Sequence, residues 1–330
     1  MMMLSKLKQI LSGIWPGKYA RLDEQDIDTA IDMVVDETDA RLRLISGYRR
    51  KLRKPVIRSL VYVNYLVARI PAPIEISRKA YGIDPRVNAL FASVNEMQDL
   101  FRRSKLLKGL FEDAPDNDRV YTTLGMVKTE KNILGMELKG EMVRKEVAQV
   151  AVNFSDHWLG VCGLSEDEVR KQMKWRGIHS LAASALENIT RLKGKTGELE
   201  KQRALLKVKL RVIGTRHRGL EALAGDTPEA GQDRHATLLR LEEVEQGLRE
   251  SHASLGTLDD YLDQVRKVLS HPSRYLGVRM HSVRVDRLGI KVTGSDEHQG
   301  AEVETAEITI GGKAPVEVLL VTFPRTEMQG

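Results

Sequence analysis

The chain holds one cysteine, Cys162, in 330 residues. A single thiol excludes internal disulfides and cysteine-cluster metal sites, and it fits a reducing compartment such as the cytoplasm. Aromatic residues are scarce at 5%, which leaves few rings for nucleic-acid bases to stack on. No stretch approaches the roughly 18 to 20 apolar residues of a membrane span. The longest, Leu60 to Ile70, contains Asn64 and Arg69 and stops at Pro71, which predicts a buried helix. Formal net charge is only +6, short of the dense basic patch of a dedicated nucleic-acid binder.

Catalytic and metal-site signatures are missing as well. The eight histidines show no paired spacing of the metal-site kind. Gly194-Lys195-Thr196 ends like a phosphate-binding loop, but Ile189 stands where the motif needs its first glycine. Asp156, His157 and Cys162 group an acid, a base and a nucleophile in sequence. Catalytic partners meet through the fold and not by adjacency, so this nearness assigns no role, and Cys162 reads as a small buried apolar residue. Asp28, Asp32 and Asp36 share one helix face without a histidine or second acidic motif to complete a cation site, and read as a solvated face favouring a helix N-terminus. The sequence therefore assigns no catalytic, cofactor-binding or metal-binding residue, and the chain reads as non-enzymatic.

What the sequence does have is a long heptad pattern from about Ile189 to Leu269. Leu192, Leu199, Leu206, Ile213 and Leu220 recur at one heptad position. Beyond a turn signal at Ala224 to Gly231, so do Leu241, Leu248, Leu255, Leu262 and Leu269, with Val244, Leu258 and Val265 at a second. The pattern predicts two long helices folded back as an antiparallel coiled-coil hairpin. Folding about the turn sets Lys209 and Arg211 near Glu245 and Glu250, and Lys201 near Asp259 and Asp260, so the signs match. Each arm of some thirty residues would extend about 45 to 50 Å. Such an arm reaches or clamps, and its tip, with Leu220, Leu223, Asp226, Glu229, His235 and Leu238, is the candidate surface for another protein.

The first 22 residues carry Lys6, Lys8, Lys18 and Arg21 and no acid, with Leu7, Ile10, Leu11 and Ile14 at helical spacing before Trp15. A basic amphipathic helix of this kind either docks onto the domain behind it or lies in a membrane interface through those apolar residues and Trp15. Residues 23 to 112 read as helical. A helix from Asp23 presents Ile27, Ile31, Val34, Val35, Leu42 and Ile45. Arg49, Arg50, Lys51, Arg53 and Lys54 precede a helix that starts near Pro55 and includes Arg58, and further helices follow at Ile76 to Tyr81 and Pro85 to Leu110. That basic cluster either pairs with the acids from Asp28 to Asp39 or contacts phosphates of anionic lipid or nucleic acid.

Residues 119 to 180 and 273 to 325 read as an α+β body. Strands are expected at Tyr121 to Val127, Ile133 to Leu138 and Val147 to Phe154, the first two joined by a turn at Glu130 to Asn132, with helix as the alternative over Glu141 to Val152. Ser165 and Glu168 form a capping-box pattern ahead of a helix. Val283 and Val285 pair with Ile290 and Val292 about a turn ending in Gly289. Ala306 to Ile310 pairs with Val316 to Phe323, whose near-continuous apolar run suits a central, two-sided strand. The fold class expected is α+β, mainly helical, with the hairpin of residues 181 to 272 inserted between two strand-rich segments that share one small sheet. The functional expectation is a cytoplasmic structural or adaptor protein engaging another protein through the hairpin. The alternative is a peripheral membrane or nucleic-acid-associated protein using the basic N-terminal region.

Overall fold

The computed structural model describes residues 22–139, 142–224, 228–286, 288–292 and 300–328. The membrane-contact set Leu7, Ile10, Leu11, Ile14 and Trp15, and Asp226 at the expected hairpin tip, lie outside these residues. The chain divides into two compact units. One holds residues 57–180 and the C-terminal segment from His271; the other holds residues 25–56 and 181–270.

The first unit is built on one sheet with strand order β3-β2-β6-β5-β4, formed by β2 (Arg119–Lys139), β3 (Met142–Gly163), β4 (Leu276–Val285), β5 (Ala301–Ile310) and β6 (Val316–Pro324), while the short β1 (Ile74–Glu75) joins β6 in parallel. Every other pairing is antiparallel. The two strand-rich segments thus share a sheet. Its edges are bridged by the turn after β4. Asp286 N–H donates to the Ile290 carbonyl and Val292 N–H to that of Arg284, while Val152 N–H of β3 donates to the Gly289 carbonyl at 2.8 Å. Gly289, at φ +76°, supplies the left-handed residue this turn requires. The sheet curls, and the bridge satisfies backbone groups that an open edge would expose.

β6 is buried along nearly its whole length. Alternation sends Leu319, Val321 and Phe323 to one face, where they pack with α3 (Arg78–Ile83), α4 (Pro85–Leu90), α5 (Val94–Arg102) and α6 (Lys105–Asp113) through Tyr81, Leu90, Met97, Phe101 and Leu107. It sends Leu320 to the other face, against Ile70 and Val169. That face is covered by the C-terminal part of α2 (Tyr48–Arg69) and the first turns of α7 (Glu166–Ala224). Ser165 Oγ accepts from Glu168 N–H, so Ser165 caps α7 as expected, while Glu168 Oε2 accepts from the N–H of Leu164 and not from that of Ser165 as a full capping box requires.

Several expectations are corrected. β2 and β3 are single strands of 21 and 22 residues, and Glu130 to Asn132 pairs with Val150 to Val152 instead of turning. Past Met126, β2 no longer pairs with β6. Glu130, Lys131 and Asn132 are exposed there, so their polarity costs little, although in sequence they look like a turn. The helix alternative for residues 141–152 fails for the same reason. The single helix expected over Pro85 to Leu110 is three. Ser93 Oγ accepts from Glu96 N–H and Ser104 Oγ from Leu107 N–H, and each serine starts a new helix where periodicity alone would continue the old one. α2 begins at Tyr48, so Pro55 stands inside it and not in its first turn, and the basic cluster lies on a helix.

In the second unit, α1 (Glu24–Thr38) buries Ile27, Ala30, Ile31, Val34 and Val35 on one stripe. It is followed by a 3-10 turn, Ala40–Leu44, capped by Asp39, where one continuous helix to Ile45 was expected. α8 (Pro228–Leu255) and α9 (Leu258–Ser270) are separate helices, against the expected single helix through Leu269. At the break, Thr257 N–H donates to Asp260 Oδ2 at 2.7 Å and Thr257 Oγ1 accepts from Asp260 N–H, a reciprocal cap that Gly256 before it makes room for. α7 and α8 meet in antiparallel order. Thr196 and Ser251 share a hydroxyl hydrogen bond, Lys207 pairs with Glu245 at 3.6 Å, and Gly247 faces Leu199. The expected register is shifted, because Glu245 is met by Lys207 and Asp259 by Lys51 at 2.7 Å.

Two expected outcomes follow from this packing. Phe101 and Phe323 are fully buried and stacked with ring centroids 4.3 Å apart, so Phe323→Ala should lower the unfolding free energy by about 3 to 5 kcal/mol in urea titration; a loss near zero would contradict the packing described. In the second unit, the hydrogen bonds from Arg43 and Arg41 hold the Asp36 and Asp39 carboxyls below the usual carboxylate range, and Thr257 does the same for Asp260. Groups depressed on folding add stability above their unfolded pKa that disappears as pH falls through the folded one. Melting temperature should hold from neutrality to about pH 5 and fall below about pH 4; a rise on acidification would reverse the sign.

Candidate functional site

The residues singled out in the sequence are scattered. In the basic cluster, Arg49 lies 2.6 Å from Asp32 and 3.5 Å from Asp28, and Lys51 pairs with Asp259. Arg43 takes Asp36, so the aligned carboxylates of α1 hold arginines. Arg50 and Lys54 are exposed, and Arg53 and Arg58 are part-buried. At the far end of the helical pair, Leu220 and Leu223 fall in the last turns of α7 and Glu229 in the first of α8, while His235 and Leu238 are exposed on α8.

The acid, base and nucleophile near β3 are not assembled together. Asp156 adopts φ 52° at an irregularity in the β2–β3 pairing. The His157 ring is stacked on Phe91 with centroids 4.7 Å apart, its Nδ1 3.4 Å from Glu96. Cys162 Sγ sits 3.1 Å from Thr122 Oγ1, and burial pushes its thiol pKa up, the reverse of an activated nucleophile.

A cluster that the sequence did not signal forms on the sheet. β5 and β6 set Glu307 directly opposite Glu317, and like charges in that position repel. Glu317 is only 4% exposed, so the repulsion must be compensated locally. His281 of β4 brings Nδ1 to 3.1 Å from Glu317 Oε1 and 3.9 Å from Glu307 Oε2. Lys128 of β2 brings Nζ to 3.6 Å from Glu317 and 3.5 Å from His281. Charges then alternate outward, with Arg279 3.7 Å from Glu307, Glu130 3.6 Å from Lys128, and Lys291 3.1 Å from Glu130. Glu317 Oε2 and the hydroxyl of Thr305 are buried without a hydrogen-bond partner.

His281, Glu307 and Glu317 place three ligand atoms within 4.8 Å of one another, a spacing that could hold a divalent cation. The Lys128 ammonium already stands beside two of them, and any ion would have to displace it. No spacing rule could have found this cluster, because four strands contribute to it and Glu317 lies in a run that otherwise reads as apolar. The one signal was the glutamate itself, a charge in a strand that had to be central.

The second feature missed is a cavity of about 400 Å³ between the sheet, α2 and α7, lined almost wholly by aliphatic side chains. Compared with known proteins, the chain matches no family model, no curated protein and no solved structure. Among the described residues no helix is long and apolar enough to cross a membrane.

Lys128 is the group that makes buried Glu317 tolerable. Lys128→Met should lower stability by about 3 kcal/mol, because it leaves a buried charge without its cation. Adding Glu317→Gln should recover most of that loss. Urea denaturation of the two single variants and the double variant measures the coupling, and strict additivity would show that the pair does not interact.

Proposed function

We propose that the chain is a cytoplasmic structural or adaptor protein that engages another protein through α7 and α8, acting together as an antiparallel coiled-coil hairpin. The observation that carries the reading is an exposed apolar row on α7. Leu205, Val208 and Val212 stand at i, i+3 and i+7 on α7 and are 70%, 55% and 46% exposed. Leu238 and Leu239 are exposed on α8. An aliphatic row at this spacing suits one more helix laid alongside.

A second reading, contact with phosphates of anionic lipid or nucleic acid, has Arg50 and Lys54 in its favour, since both are exposed on α2. Against it stands the internal pairing of Arg49 and Lys51. The two readings separate in a crosslinked affinity purification of the full chain beside a Leu205→Lys, Val208→Lys, Val212→Lys variant, with nuclease, detergent and high-salt controls. All three positions are exposed, so the variant should melt like the parent. The expected result is a protein partner that survives salt and nuclease and is recovered with the parent only. Recovery that is unchanged in the variant but abolished by nuclease, detergent or salt would replace the adaptor reading with the phosphate one.

A further inference from the structure

The cavity in the first unit has the character of a ligand site, and nothing in the proposed use of α7 and α8 employs it. One wall is α2, with Val63, Leu66 and Val67; another is α7, with Met173 and Gly177; the sheet supplies the floor, Val278 among it. α2 and α7 pass close together at this point. A Cβ on Gly177 would come within 2.7 Å of Val63 Cγ1, so the glycine is needed for the approach. At about 400 Å³ the space falls in the range of small-molecule sites, roughly 300 to 1,000 Å³. Water is a poor occupant, because a bound water needs several polar partners and these walls offer almost none.

The lining also says which ligand fits. It contains no aromatic and no acidic residue, so neither a stacked ring nor a cation is favoured. Its two hydroxyls are already engaged. Thr123 Oγ1 accepts from Val161 N–H at 3.1 Å, and Ser180 Oγ donates to the Arg176 carbonyl at 2.9 Å. A sugar or nucleotide would find few partners for its many polar groups. The remaining polar group is the guanidinium of Arg176, which is exposed and makes no ion pair among the described residues. One cation at the edge of an aliphatic trough complements one anion at the end of an aliphatic chain, and a guanidinium fork matches a carboxylate in two parallel hydrogen bonds.

We propose that this cavity binds an aliphatic monocarboxylate, with its chain along the α2, α7 and sheet walls and its carboxylate on Arg176. The test is a fluorescence titration of the full chain with dansyl-labelled undecanoate, followed by competition with dodecanoate and with the uncharged dodecanol. Saturable binding is expected, with dodecanoate displacing the probe at least about tenfold better than dodecanol. Arg176→Glu should remove that preference and leave dodecanol unchanged. Met173→Trp, which fills the cavity, should abolish binding of both. Since Arg176 is exposed, its variant keeps the test decisive if Met173→Trp does not fold, and a melt of each variant without ligand establishes this. Failure of the probe to saturate, equal competition by the alcohol, or an Arg176→Glu variant that binds dodecanoate like the parent would each overturn the proposal.

Discussion

β6 is bonded along both edges and buried on both faces, and the rest of the first unit is placed by that constraint. One edge is taken by β2 along its whole length; the other is divided between β5 at Val316 to Val318 and β1 at Val321 and Thr322. With no edge left, the strand can be extended only by layers above and below it. Its alternating side chains recruit α4, α5 and α6 to one face, and α2 with the start of α7 to the other. The same constraint explains the charge cluster. A glutamate at the second position of such a strand cannot reach bulk water, so Lys128 and His281 from other strands must meet it. The polar cluster is therefore a consequence of where β6 lies, and its stability depends on retaining its cation.

The parts of the fold that were legible in the sequence are those where a local rule and the tertiary environment agree. The run from Val316 to Phe323 is apolar because both its faces are covered. Ser165 caps a helix because a helix follows, and Gly289 turns because its φ is positive. Legibility failed where solvent or a side-chain cap replaced packing as the deciding term. Glu130 to Asn132 lies on a ribbon past the end of β6, so polarity there carried no information about direction. Ser93, Ser104 and Thr257 end apolar periodicities that would otherwise continue. Pro55 resembles a helix start yet stands inside α2, where the turn before it carries Arg49 to its partners on α1. The cluster and the cavity were beyond sequence reasoning altogether. Each is assembled from residues more than a hundred positions apart, and in the cavity every residue but a few is an ordinary core aliphatic.

The distribution of charge bears on the two readings of function. The excess of bases over acids is small, 52 against 46, so what matters is which bases remain available. Arg41, Arg43, Arg49 and Lys51 each have a carboxylate within ion-pair distance inside the second unit. A phosphate arriving at Arg49 would have to compete with Asp28 and Asp32 together, and would meet their repulsion as well as the arginine's attraction. Exposed ion pairs are individually weak, about 0.2 to 1 kcal/mol, so they do not lock the cluster. They do flatten the local field on which salt-dependent steering relies. The aliphatic row on α7 is a different kind of surface: Leu205, Val208 and Val212 are exposed, and burying them against a partner brings a hydrophobic gain. Charge already satisfied and apolar surface left exposed both weigh toward a protein partner.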